Sequence, residues 1–181
     1  QMLGLGRLPA QDELTPELSS WIEKEPGSVR QAARLAQVGF EPAEFNEARV
    51  SRIDDLSVYF ALNLFNRRQP YTQLPQELQR DVTVFFSSYR AAEESGRELL
   101  FSVGDTQVIN QACTESAERG IGYLDGTHSL QLHAGLADQL PPQLRTYIGC
   151  AEKLYGDIEQ ADLVKIHIGS GKVTFLEYDS F

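Results

Sequence analysis

The residues of this chain that could do chemistry are few, and their spacing limits what that chemistry could be. His128 and His133 lie five positions apart, but this segment does not supply the four ligands that a structural zinc site needs. His167 falls in an alternating segment and is most simply a half-exposed strand residue. Cys113 and Cys150 are 37 positions apart, which fits neither a disulfide framework nor a metal knuckle. The sequence therefore predicts no metal site.

Two arrangements could support catalysis, and both have a simpler structural explanation. Cys150 could act as a nucleophile with His133 as its base, yet a lone cysteine on an apolar helix face usually belongs to the core. Asp54, Asp55 and Asp81 could form a paired-carboxylate site for acid–base or metal chemistry. Acids at the start of a helix already stabilise its first turn by up to about 1 kcal/mol. The structural explanation is favoured, so no catalytic residue is predicted.

Arginines are the strongest candidates for a binding role. Arg67 and Arg68 are adjacent and are followed by Gln69, and arginine outnumbers lysine in this chain by 12 to 4. A guanidinium binds phosphate or carboxylate through two parallel hydrogen bonds, which lysine does not match. Arg67 and Arg68 follow the apolar segment 54–65, so they could simply interact with the C-terminal dipole of a helix there. Alternatively, Arg67, Arg68 and also Arg90 are candidates to contact phosphate or a partner protein.

Composition and charge narrow the class of protein and of partner. The chain has 181 residues, is 41% hydrophobic and carries a formal net charge of −10. Such a charge repels a phosphate backbone, so DNA is a possible partner but a disfavoured one. The apolar runs are too short to span a bilayer, no secretory signal is visible, and two distant cysteines fit a reducing compartment. We expect a cytoplasmic protein that does not interact with membranes.

The elements that must position these residues are mostly helices. Hydroxyl or acidic caps, helix-start prolines and terminal glycines predict the following helices: one from Thr15–Pro16, one from Ser28 to Gly39, a short one near Pro42, a buried one over 54–65, one of roughly twenty residues from Pro75, one from Asp105 to Gly120 and one from Pro141 to Gly156. Gly96 and Gly104 are expected to interrupt helical structure, and Gly122 and Gly126 to mark an irregular stretch.

The tail of the chain changes to a period of two. Residues 163–168 alternate, residues 169–171 are Gly-Ser-Gly, and a second β-rich run follows, which predicts a β-hairpin. The whole sequence is interpreted as one mainly α (α+β) domain over 1–181, a compact multi-helix domain with a C-terminal β-hairpin. Five aromatic side chains at helical spacing are expected to be buried: Tyr59, Phe60, Phe85, Phe86 and Tyr147.

Several segments in a fixed order resemble a known family. They are residues 6–9, 27–28, 54–62, Asp81 with Phe85-Phe86 and Tyr89, 99–102, 140–147 with 149–151, Lys165, and 172–178. In this order they resemble the C-terminal half of the DNA phosphorothioation-associated methyltransferases, bacterial proteins encoded beside the genes that place sulfur in the DNA backbone. The resemblance covers nearly the whole chain.

The resemblance implies a function for the larger protein rather than for these residues. That family carries its S-adenosylmethionine-binding domain upstream, so the resemblance implies no cofactor within 1–181. It implies a non-catalytic recognition or docking domain whose partners are proteins of the DNA phosphorothioation system. The alternative from the residues is a stand-alone enzyme acting on nucleic acid, with Asp54, Asp55, Asp81 or His133 as its acid–base or metal groups.

Overall fold

The structure is a computed structural model that describes residues 2–25, 27–39, 41–156 and 161–178. Its helices are α1 (Met2–Leu5), α2 (Pro16–Lys24), α3 (Val29–Gln37), α4 (Pro42–Asn63), α5 (Gln76–Phe85), α6 (Tyr89–Ser102), α7 (Thr106–Glu118) and α8 (Pro142–Tyr155). Its strands are β1 (Tyr123–Asp125), β2 (Ser129–His133), β3 (Leu163–His167) and β4 (Lys172–Leu176). Single 3₁₀ segments lie at Gln11–Glu13, Tyr71–Gln73 and Ala134–Gln139. The predicted fold class, mainly α with a C-terminal β element, is confirmed.

The contacts divide the chain into two compact units, Gln1–Asp55 and Leu56–Phe181. In the first unit, Arg7 and Glu13 form a bidentate ion pair with both N–H···O distances at 2.7 Å. Their side chains are only 3% and 5% exposed. Glu13 also accepts a hydrogen bond from the backbone N–H of Ala10 at 2.7 Å. Because each charge is met by a partner, this buried pair fixes the segment between α1 and α2.

Local capping chemistry places several helices where the sequence predicts them. The Thr15 hydroxyl accepts a hydrogen bond from the N–H of Leu18 at 3.3 Å and Pro16 begins α2. Similar side-chain caps precede α3 and α7, from Ser28 and Asp105 respectively. These three predicted helix starts are confirmed. They could be predicted because a cap depends only on residues close in sequence.

The structure corrects the predicted start of the most apolar helix. The short helix near Pro42 and the helix over 54–65 are one continuous helix, α4. No proline or glycine interrupts residues 43–63, so nothing in the backbone stops the helix. Asp54 and Asp55 therefore lie inside α4, and the prediction that they stabilise a helix N-terminus is wrong.

The predicted long helix from Pro75 is instead two helices, α5 and α6. α5 ends at Phe85, and the hydroxyl of Ser88 accepts a hydrogen bond from the N–H of Ala91 at 3.1 Å to begin α6. Gly96 was expected to interrupt a helix but lies within α6. The cap at Ser88 marks the start of a new helix. The spacing of the apolar residues alone does not reveal this break between α5 and α6.

The C-terminal hairpin is part of a larger antiparallel sheet. β3 and β4 form the predicted hairpin, and β1 and β2 add to it in the order β1-β2-β3-β4. The stretch around Gly122 and Gly126 is therefore a second hairpin, and the prediction that it is irregular is wrong. Both glycines have a positive φ, at 87° and 53°, which suits the turns that flank β1.

Two apolar clusters hold the second unit together. The larger is formed by α7 and α8 against one face of the sheet, with Ile109, Leu144, Leu130 and Ile166 at most 1% exposed. The smaller joins α4, α5 and α6 around Leu56, Phe60, Val82 and Ala92, among others. Each fully buried Leu, Ile or Phe contributes about 1.5–3 kcal/mol, so these clusters are the main stabilising contacts of the unit.

The aromatic residues expected in the core are buried to different degrees. Phe60 is buried, and Phe85, Phe86 and Tyr147 are half-buried. The prediction for Tyr59 is wrong, because its side chain is 40% exposed. Tyr59 precedes Phe60 in α4 and so points to a different side of the helix, although its ring still meets the edge of Phe60 at 5.3 Å.

Gly96 allows α6 to pack directly on α4, which gives a testable prediction. A Cβ at this position would lie 2.6 Å from the backbone nitrogen of Ala61 and from Cβ of Phe60. Gly96→Ala gains up to about 1 kcal/mol of helix propensity. The overlap with backbone atoms should outweigh this gain and lower the free energy of unfolding by about 1–3 kcal/mol net. Urea denaturation measures this difference.

Gly104→Ala is the matched control for this prediction. A Cβ at Gly104 would lie 3.4 Å from the carbonyl oxygen of Phe101, an ordinary contact. This variant should stay within about 0.5 kcal/mol of the parent. Equal unfolding free energies for the two variants would show that α6 does not approach α4 as closely as the structure indicates.

Candidate functional site

The predicted arginines lie at a cleft in the second unit. The cleft has a volume of about 510 Å³ and is bounded by the end of α4, the segment that follows it and the first turns of α6. Phe60 and Asn63 come from α4, Arg68 from the following segment, and Tyr89, Arg90 and Arg97 from α6. The structure therefore brings Arg68 and Arg90 to one cleft, whereas Arg67 is exposed beside it and is not among its lining residues.

Arg68 is held by a bidentate ion pair across the cleft. Its Nε and one terminal nitrogen donate to the two carboxylate oxygens of Glu93, both at 2.7 Å. The Arg68 side chain is 73% exposed and that of Glu93 17% exposed. The hydrogen bonds from Arg68 to Glu93 raise the pKa of the guanidinium above its already high value, so the group stays charged. The pair orients the guanidinium but contributes little net stability, because solvent screens it.

Tyr89 joins the two walls of the cleft. Its hydroxyl donates to the carbonyl oxygen of Gln69 at 2.8 Å, and the Arg68 guanidinium carbon lies 5.9 Å from the centre of its ring. The ring also meets Phe60 at 6.0 Å and Tyr71 at 5.7 Å. Burial, and then the negative charge of Glu93, raises the pKa of the Tyr89 phenol, so it remains a neutral donor. Tyr89 therefore fixes the segment after α4 against α6.

The α6 wall of the cleft carries charges of both signs at helical spacing. Tyr89, Glu93 and Arg97 lie four residues apart along one side of α6, and Arg97 pairs with Glu94 at 2.9 Å. Arg90 is exposed and forms no ion pair with any residue that the structure describes. Arg90 is thus the cationic group of the cleft that is available to an incoming anion.

The sequence analysis missed the residues that shape this cleft. Tyr89 and Glu93 set the position of Arg68, yet Arg68 and Glu93 are 25 positions apart in the chain, so no local pattern links them. The i, i+4 spacing of Tyr89, Glu93 and Arg97 could have indicated a shared helix face. That spacing becomes visible only when Ser88 is recognised as the start of α6.

The residues of the enzyme alternative form no metal-binding cluster within the described part of the chain. Asp54 and Asp55 are half-buried in α4, and Asp81 is fully buried in α5. His133 is exposed, and its Nδ1 accepts a hydrogen bond from the N–H of Gly135 at 3.1 Å. Over residues 2–25, 27–39, 41–156 and 161–178, no three His, Cys, Asp or Glu side chains are grouped to hold a metal ion.

The first unit holds an apolar cavity of about 410 Å³. Leu18, Trp21, Ile22, Val29 and Ala33 are among its lining residues, and all of its lining side chains are apolar.

Gly6, near the N-terminal end of this unit, has a φ of 62°, and a Cβ there would lie 2.7 Å from the carbonyl oxygen of Ala48. Both the left-handed backbone conformation and the close packing against Ala48 therefore favour glycine at position 6.

Comparison with protein-family models, with curated proteins and with solved structures finds no significant match. None of the helices in the described part of the chain is long and apolar enough to cross a membrane.

The two cysteines give a prediction that bears on nucleophilic catalysis. Burial raises the pKa of the fully buried Cys113 thiol to about 12, and burial also raises the pKa of the half-buried Cys150. At pH 8 only about 10⁻⁴ of Cys113 would be thiolate, the reactive form. In the native protein we expect slow labelling of Cys150 by iodoacetamide, and labelling of Cys113 only after unfolding.

Peptide mapping by mass spectrometry assigns the labelled thiol, and free cysteine at the same pH is the reference for its rate. Cys150 should react more slowly than free cysteine. Labelling of either thiol in the native protein faster than free cysteine would contradict the account and would mark that thiol as activated.

Proposed function

We propose that this chain is a non-catalytic recognition and docking module of a bacterial DNA phosphorothioation system, and that the cleft bounded by α4 and α6 docks a protein of that system. Two observations support the proposal. The ordered segments described above resemble the C-terminal half of the phosphorothioation-associated methyltransferases. The cleft offers an oriented cation, Arg68, and an unpaired one, Arg90, in a chain whose overall charge is −10.

The proposed docking role depends mainly on Arg90. It is exposed at the cleft and has no ion-pair partner among the described residues, while Arg68 beside it is already oriented by Glu93. A carboxylate of a partner protein can bind Arg90 without displacing an internal acid. Arg67, exposed next to the cleft and also without an ion pair among those residues, would lengthen the cationic surface.

A protein is favoured over duplex DNA as the occupant of this cleft. Glu93 and Glu94 line the cleft with the arginines, so its charge is mixed rather than uniformly positive. Phosphate backbones require clustered, uncompensated cations, and the net charge of the chain adds a general repulsion. A protein surface can instead match charges of both signs, which gives specificity in docking.

The methyl-transfer activity belongs, under this proposal, to the upstream domain that the resemblance implies. We therefore expect S-adenosylmethionine to bind there and not to residues 1–181, and we expect the module to act in the cytoplasm. No observation in the described residues favours the alternative, a stand-alone enzyme that uses Asp54, Asp55, Asp81 or His133.

Reversing the charge of Arg90 tests the docking role. Binding of the chain to each purified protein of the phosphorothioation system is measured by biolayer interferometry at low and moderate salt. Arg90→Glu should weaken binding to the partner by about tenfold, mainly through a slower association rate that depends on salt.

Arg30→Glu is the matched control, because Arg30 is exposed and is the second residue of a helix that follows a serine cap, as Arg90 is. The two variants make the same change in net charge and in helix-terminal charge. Arg30→Glu should bind like the parent. Equal affinities for both variants, or no binding to any protein of the system, would contradict the proposal.

A further inference from the structure

The outer face of the sheet is the side opposite α7 and α8. Alternate strand residues point to it, and the register of the four strands aligns them in rows. One row runs Tyr123, Gln131, Lys165, Thr174, and the next places His167 beside Lys172. Tyr123 is 68% exposed and Lys172 is exposed, whereas Gln131 and Lys165 on the central strands are half-buried and Ser129 is 1% exposed. The face is therefore most open to solvent at its two edge strands.

This outer face differs in charge from the chain as a whole. The chain has 26 acidic residues, yet β2, β3 and β4 contain no Asp or Glu. The same three strands hold two of the four lysines of the chain, Lys165 and Lys172. The acidic residue of this face within the described strands is Asp125, which lies on the edge strand β1. The face is therefore a local cationic surface on an acidic protein.

Lys165 and Lys172 are close to each other and are not neutralised. Lys165 is opposite Thr174, and Lys172 is opposite His167, so the two lysines are diagonal neighbours on one face. The backbones of such neighbours are about 7–8 Å apart. Two long side chains at this spacing can both contact one anion, or can bind two adjacent anions. Neither lysine has an ion pair with a residue that the structure describes. An anion bound between them would relieve their mutual repulsion.

We propose that the outer face of the sheet binds single-stranded nucleic acid, with Lys165 and Lys172 contacting its phosphates and Tyr123 stacking on a base. An exposed aromatic ring and cations without ion pairs on the same face of a sheet are the combination that single strands require, because every base can stack on the ring and the cations can contact the backbone. Tyr123 is two strands away from Lys165 in its row, about 10 Å at the usual strand spacing. This inference is independent of the docking role proposed for the cleft.

His167 provides a readout within the proposed surface. Its Nε2 lies 3.0 Å from the hydroxyl of Thr174, and its carbonyl oxygen accepts a hydrogen bond from Tyr147. Burial, and then the positive charges of Lys165 and Lys172, lowers the pKa of His167, so the ring is neutral near pH 7. Ser129 is its neighbour on β2, and Asp125 lies beyond Ser129 on β1. A phosphate bound at the lysines should raise this pKa, because it favours the protonated ring.

Fluorescence anisotropy with a labelled oligodeoxythymidine of about 12 nucleotides tests the inference at low salt. The double variant Lys165→Gln/Lys172→Gln should bind the strand about tenfold more weakly than the parent. It should also reduce the slope of log affinity against log salt by about 1.4, since each phosphate contact on a single strand contributes about 0.7. Tyr123→Ala keeps the charge and should weaken binding by about fivefold or more through the loss of stacking.

The other two lysines supply the control for net charge. Lys24→Gln/Lys153→Gln makes the same change in net charge but alters α2 and α8 instead of the sheet. This double variant should bind within about twofold of the parent, because neither lysine lies in the sheet and so no proposed phosphate contact is lost. NMR titration of His167 should show its pKa rising when the oligonucleotide is added, and rising also in the Lys165→Gln/Lys172→Gln variant without ligand.

Three results would overturn the inference. The first is no binding of the parent to the oligonucleotide at low salt with the His167 pKa unchanged. The second is equal weakening by the two double variants, which would show that only net charge matters. The third is displacement of the strand by inorganic phosphate at a concentration equal to that of the nucleotides in the strand, which would show that the site binds a single anion. None of these results bears on docking at the cleft, which is read from Arg90→Glu.

Discussion

Burial of one face of the antiparallel sheet under α7 and α8 is the interaction on which the second unit depends. Strand residues alternate between two faces, so a sheet packed on one side must present the other side to its surroundings. Leu130 and Ile166 point to the helices and are completely buried. Lys165 and His167, on either side of Ile166, therefore lie on the opposite face. The same packing that stabilises the unit thus creates its local cationic surface.

The cleft depends on a second contact, the close approach of α6 to α4. Gly96 packs against the backbone of Phe60 and Ala61, and the Ser57 and Ser95 hydroxyls meet at 2.9 Å nearby. This contact sets the position of Tyr89 at the start of α6, and Tyr89 in turn holds the segment that carries Arg68. Arg90 is consequently presented on a wall whose position is fixed by packing rather than by its own ion pairs. A cleft built in this way is preorganised, which lowers the entropic cost of binding any ligand.

The sequence allows good prediction of features that depend on near neighbours. The caps at Thr15, Ser28 and Asp105, and the C-terminal hairpin, follow from local residues and are present in the structure. The continuity of α4 could have been predicted from its lack of proline and glycine, but the Asp54-Asp55 pair resembles the acidic start of a helix.

Other features depend on residues that are distant in sequence, and local patterns do not reveal them. β1 has only three residues, so its period of two is too short to recognise, and it is defined by pairing with β2. Arg68 follows the end of α4 in the sequence, but its pairing with Glu93 depends on how α4 and α6 pack. The placement of Lys165 and Lys172 on one face likewise follows from strand register. The central claim is that this face is open at Lys172 and Tyr123 while the opposite face is packed. Solvent paramagnetic relaxation enhancement, measured by NMR with a neutral gadolinium chelate, tests this claim most directly. The account predicts strong broadening of side-chain signals from Lys172 and Tyr123 and little effect on the methyl groups of Leu130 and Ile166. Protection of the Lys172 and Tyr123 signals, or broadening of those core methyl groups, would contradict it.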